Sequence, residues 1–95
     1  MLDRVGYASL VGGEEFALLL PGVDVKGAVP LLERLRAAAA TVPHPGAPSQ
    51  RVTLSGGLAE VQGTGLAALE SGLRSADGAL YAAKAAGRNQ VMVAG

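Results

Sequence analysis

Cysteine is absent from this chain, which excludes disulfides and thiolate metal sites and fits a reducing compartment. Net charge is absent too, because eight Lys and Arg balance eight Asp and Glu. A zero balance excludes a sequence-blind grip on nucleic acid or an anionic membrane, so any phosphate binding has to come from a local cluster. No apolar run approaches the roughly 20 residues of a membrane span. The start, MLDRVGYASL, lacks the basic stretch and apolar core of a signal peptide. The expectation is a soluble, cytoplasmic chain with neither nucleic acid nor membrane as partner. The single histidine, His44, sits between prolines in PHPGAPSQ, where it reads as solvent-exposed. What is present is a globular composition, 49% hydrophobic over 95 residues, which argues against disorder. A domain of this size buries about 60–65% of its unfolded surface.

The pattern along the chain is mixed. Residues 4–11 and 16–20 are short apolar runs on either side of GGEE, and each has strand length. A connection with two glycines suits a hairpin turn. In Phe16-Ala17-Leu18-Leu19-Leu20 both faces are apolar, which predicts a strand covered on both sides. Pro21-Gly22 ends it. Asp24 is a helix N-cap candidate, and Leu31, Leu32, Leu35 and Ala37–Ala40 continue a helix to about Thr41. Pro30 should kink or delay that helix, or begin it, since proline suits a first turn. Residues 43–50 read as a loop.

RVTLSGGLAEV, 51–61, starts as a strand, and Gly56-Gly57 predicts a bulge or a close backbone approach. Leu66, Leu69, Leu73, Ala76, Leu80 and Ala83 then recur on one helix face, predicting a helix from about 66 to 86. Its leucines contribute about 1.5–3 kcal/mol each when buried. Gly72 and Gly78 oppose it at about 1 kcal/mol each, so burial outweighs propensity. Gly87 is a natural C′ stop, and QVMVA is a last strand. The order β-β-α-β-α-β describes one α+β domain, with helices over a largely antiparallel sheet.

Three places could carry chemistry. Glu14 and Glu15 behind Gly12-Gly13 are either a wet hairpin tip or a metal and phosphate site. In the second reading the glycines admit a ligand close to the backbone, and the carboxylates hold Mg²⁺. Lys84, Arg88 and Asn89 in AAKAAGRNQ are either helix-capping polar groups or a phosphate clamp, with Lys84 and Arg88 one turn apart. Asp77 pairs most simply with Arg74, and Tyr81 reads as packing beneath the helix. Ser55 has no histidine at a spacing that suits a serine hydrolase.

These stretches stand in a familiar order. VGGEEFALLLPG, RVTLSGGLAEV and SADGALYAAKAAGRNQVMV together resemble the second half of a GGDEF domain, the catalytic domain of diguanylate cyclases. Gly12-Gly13-Glu14-Glu15-Phe16 resembles the GGEEF variant of the signature. Ala76, Asp77, Ala79, Leu80, Tyr81, Ala83, Lys84, Gly87, Arg88 and Asn89 follow the family's AD.ALY.AK..GRN pattern. The likeness covers nearly all of residues 3 to 93. It implies a partial nucleotidyl-cyclase-like, palm-type fold and a signalling activity: two facing domains condense two GTP to cyclic di-GMP and pyrophosphate. By that resemblance Glu15 is the metal ligand, for Mg²⁺ or Mn²⁺. Glu14 assists deprotonation of the attacking hydroxyl. Gly12 and Gly13 let the nucleotide approach, and Lys84 and Arg88 contact phosphates. The partners implied are GTP and a second GGDEF domain in a homodimer.

The same resemblance implies what this stretch lacks. The family's first strand, with a further metal-binding aspartate, and two helices that read guanine precede the part matched here. The Arg-x-x-Asp product site is also incomplete, although Asp3 stands where its aspartate belongs. The expectation is therefore a single truncated domain over residues 1–95, inactive or nearly so by itself. The alternative is a degenerate module that holds GTP or a protein partner. The family's missing strand lies between the signature strand and the strand matching residues 51–61. Without it, the chain should close that gap internally or dimerise through the open edges.

Overall fold

The computed structural model describes residues 3–10 and 15–94, of which 3–10, 15 and 16 are described by their backbone. Two strands, β1 (Asp3–Leu10) and β2 (Glu15–Pro21), are followed by α1 (Val25–Ala39). A short pair, β3 (Pro43–His44) and β4 (Ala47–Arg51), leads into β5 (Leu54–Val61), α2 (Leu66–Ala85) and β6 (Val91–Val93). The main sheet runs β2-β1-β5-β6. β1 is antiparallel to both β2 and β5, and β6 is parallel to β5. The gap between β2 and β5 is thus closed internally, by β1.

β5 is the centre of the core, because the pleat sends alternate residues to opposite faces. Leu58, fully buried, packs with Ala28 and Leu32 of α1 and with the half-buried Leu18, Leu20 and Val91. Ala59 and Val61 pack with Ala76 of α2 and the half-buried Leu69 and Leu73. The two helices therefore cover opposite faces. Gly57 lets α2 come down onto the sheet: a Cβ there would overlap the Ala76 carbonyl and the Leu80 amide nitrogen. Of the two readings for Gly56-Gly57, close approach is the one observed, and the pairing with β1 runs through both glycines without a register shift.

Both helices begin and end for local reasons. Asp24 caps α1, its Oδ1 accepting from the Gly27 amide at 2.8 Å. Pro30 does not start α1 but sits exposed inside it. α2 ends in a Schellman motif: the Arg88 amide donates to the Ala83 carbonyl at 2.9 Å, and the Gly87 amide to that of Lys84 at 3.3 Å. Gly87, at φ 120°, is the residue that lets the chain turn there.

Four expectations need correction. Residues 43–50 are not wholly loop but form the β3–β4 hairpin, in which both strands are edges and tolerate proline. β2 is not covered on both sides: it is an edge strand, with Leu18 and Leu20 towards α1 and Leu19 50% exposed. Tyr81 is 76% exposed rather than packed beneath α2. Leu66, at 71% exposed, lies before the stretch of α2 that meets the sheet, so the buried face is Gly72, Ala76, Ala79, Leu80 and Ala83.

Candidate functional site

Strand register decides which candidate residues share one end of the sheet. Glu15 opens β2 opposite Ser9 of β1, and Ser9 is opposite Ser55 of β5. Glu15 and Ser55 are therefore two strand spacings apart, roughly 10 Å. Gly12, Gly13 and Glu14 lie outside the described residues. The end of α2 comes to the same place. Ser55, 3% exposed, accepts the Asn89 amide on its Oγ at 3.0 Å, and the Gly56 amide donates to the Gln90 carbonyl at 2.9 Å. Arg88, exposed, thus stands in a turn anchored to the row Glu15–Ser9–Ser55.

Lys84, half-buried in the last turn of α2, borders a hollow of about 210 Å³ with Asp77, Leu80 and Tyr81. Arg74 and Asp77 are both exposed. The α2 C-terminus turns the negative end of its helix dipole towards this end of the sheet, although the Ala83 and Lys84 carbonyls are bonded within the Schellman motif. An anion would be repelled there without cations, and Lys84 and Arg88 are the basic residues at that terminus.

Among the described residues carboxylates are scarce at this end. β1 carries one, Asp3, paired with Pro21 and Val61. That is six residues along from Ser9, roughly 20 Å away. β5 carries one, Glu60, which is opposite Arg4 at the same far end. Among the described residues no three His, Asp or Glu side chains cluster as a metal site would require. Divalent magnesium takes one or two carboxylates together with substrate phosphates and water. Glu15 alone does not complete that set, so the described residues do not fit a finished metal centre.

The comparisons with known proteins bear on the family and the fold. The family model described as "Diguanylate cyclase, GGDEF domain" matches residues 1–90. The chain belongs to the GGDEF family. It is 40% identical over 94 residues to diguanylate cyclase DgcP of Pseudomonas aeruginosa, covering 98% of this chain and 14% of that protein. It is 41% identical over 83 residues to diguanylate cyclase DgcM of Escherichia coli K12, covering 87% of this chain and 19% of that protein. This GGDEF chain therefore spans less than a fifth of the length of those relatives.

Among solved structures it resembles the active GGEEF domain of a diguanylate cyclase from Vibrio cholerae. The TM-score is 0.83 at 19% identity, covering 100% of this chain and 84% of that one. It also resembles the GGDEF domain of DgcB from Caulobacter crescentus in complex with c-di-GMP, with a TM-score of 0.81 at 21% identity, covering 98% and 78%. At those identities the likeness establishes the fold. Sequence reasoning named Lys84, Arg88 and Glu15, but it missed Arg36 and the role of Ser55 as the anchor of the Asn89 turn. No local signal marks either, because their partners lie 53 and 34 residues away.

Proposed function

We propose that this chain is part of a diguanylate cyclase domain, and that its parent joins two GTP into cyclic di-GMP. In each of two steps a ribose 3′-hydroxyl forms a bond to an α-phosphorus and one pyrophosphate leaves. The observation that carries this is the meeting of the β2 start and the α2 end at one end of the sheet, two strand spacings apart through Ser9 and Ser55. In this reading Lys84 and Arg88 hold phosphate oxygens and offset the carbonyl end of α2. Gly12 and Gly13 admit the nucleotide. Glu14 orients and helps deprotonate the hydroxyl, while Glu15 contributes one ligand to Mg²⁺ or Mn²⁺, which supplies polarisation of the hydroxyl when bound. The remaining carboxylate and the second GTP come from the rest of the domain and from a facing GGDEF domain, and the setting is the cytoplasm.

The test is GTP turnover by the 95-residue chain with Mg²⁺ or Mn²⁺, reading cyclic di-GMP by chromatography, with Glu15→Ala as control. No product is expected, because Ser9 rather than a carboxylate stands opposite Glu15. Product that the control abolishes would show that another carboxylate completes the site. A second reading, a non-catalytic module that holds GTP or a protein, is favoured by the open edge of β2. GTP binding without turnover by the parent protein would select it.

A further inference from the structure

Arg36, in the last turn of α1, reaches two groups at once. Its Nε donates to Glu33 Oε2 at 3.0 Å, and its Nη1 donates to Asn89 Oδ1 at 3.0 Å. Asn89 is thus held by side chain and backbone alike, since its backbone N–H donates to the buried Ser55 Oγ at 3.0 Å. The turn is one that needs holding. Gly87, Arg88 and Asn89 have φ values of 120°, 65° and 49°, so two successive non-glycine residues are left-handed. Such conformations persist where the surroundings over-determine them.

Apart from the β5 bonds at Ser55 and Gly56, the other bonds of the turn are local. Gln90 Nε2 donates to the Ala86 and Arg88 carbonyls at 3.2 and 3.0 Å. Arg36 differs because it comes from the helix on the opposite face of the sheet. Arg36 serves Glu33 and Asn89 from two separate nitrogens of one planar fork, whereas a lysine ammonium would have to reach both from a single nitrogen. Glu33 aims the fork.

We propose that Arg36 is a positioning residue: through Asn89 it holds the left-handed turn that presents Arg88 at the Glu15 end of the sheet. The brace ties the α1 layer to the end of α2 around the ends of β5 and β6. Its use in orienting Arg88 towards phosphate rests on the function proposed above, whereas the hold on the turn does not.

The experiment uses the full 95-residue chain and the variants Arg36→Ala, Arg36→Lys, Asn89→Gly, Arg88→Ala and the double variant Arg36→Ala/Arg88→Ala. Amide hydrogen exchange by NMR is read first. Exchange at Asn89 should rise roughly three- to tenfold in Arg36→Ala and in Arg36→Lys, as expected for loss of one charged hydrogen bond at a partly exposed site. The Leu58 and Leu80 amides should be unchanged. Asn89→Gly keeps the left-handed conformation accessible and removes the Oδ1 partner together with the Cβ, so it should loosen Arg88 at least as much. It also decides the matter if Arg36→Ala disturbs the core. GTP titration is read second. Arg36→Ala should raise Kd roughly three- to tenfold alone and add nothing in the Arg88→Ala background.

Unchanged exchange at the turn in Arg36→Lys and Asn89→Gly would overturn the brace. So would an equal loss of GTP affinity with and without Arg88. If the unsubstituted chain binds no GTP, the phosphate reading of the proposed function falls for this chain, and exchange at the turn alone decides the brace.

Discussion

A single missing methyl sets the spacing of one layer of this GGDEF chain. The residue is Gly57, and a Cβ there would overlap backbone atoms of Ala76 and Leu80, which no rotamer change can move. Gly57→Ala should therefore cost about 3 kcal/mol, at the upper end of overpacking effects. A lowered urea midpoint at unchanged m would record it. Alanine at Gly78, where no heavy atom lies within 4 Å, is the control and should instead stabilise α2 by about 1 kcal/mol. Equal effects at the two positions would refute the close-approach account. The glycine pair was visible in the sequence as a choice between bulge and contact. The choice could not be made there, because it depends on where Ala76 and Leu80 arrive in space.

At the scale of elements, Pro30 is the clearest conflict between local preference and observed structure. It lies within α1, exposed, five residues after the helix start at Val25. Proline there removes one intrahelical bond and crowds the preceding turn. α1 forms regardless, because the Asp24 cap and the burial of Ala28 and Leu32 outweigh the penalty. Pro30→Ala should raise stability by about 1–3 kcal/mol, read as a higher thermal midpoint. A fall would mean that Pro30 packs against something or restrains the unfolded chain more than it strains α1.

The same contrast shows what could be read from sequence. α2 and its glycine stop were legible because periodicity and capping are local. The face α2 buries was legible only in part. Leu66 shares the periodic row with Leu80, yet the sheet ends before reaching it, and sheet extent is not written into a helix. Tyr81 misled because an aromatic beside an apolar row looks buried, while its place one position past Leu80 turns it outward. The β3–β4 hairpin escaped because prolines argue against strands, and only pairing in space shows both strands to be edges.

For the whole molecule, strand order governs both the site and the surface. Placing β1 between β2 and β5 brings Glu15 and the α2 turn to one end of the sheet, and sends Asp3 and Glu60 to the other. It also moves β2 to the edge. The covering of β2 was misread because a strand apolar on both faces looks central, whereas position in a sheet is a non-local fact. The exposed edge carries Ala17, Leu18, Leu19 and Leu20 without a bulge, and the charge and the proline that protect native edges stand only at its ends, Glu15 and Pro21. A second copy can pair antiparallel about Leu18, setting Ala17 opposite Leu19 and leaving no like charges face to face. One strand pair is small beside a stable interface of about 1,200–2,000 Å². Association should therefore set in only at high concentration. Light scattering across a concentration series should show the mass rising above the monomer, and Leu19→Lys should hold it at the monomer. Leu19 is half exposed, so that substitution leaves the fold intact. A constant monomer mass throughout would show that β1 closes the sheet sufficiently and that β2 has no partner in a second copy. The same series with Leu66→Lys, an exposed leucine at the start of α2 rather than on β2, separates edge pairing from general stickiness: only the Leu19 substitution should abolish the rise.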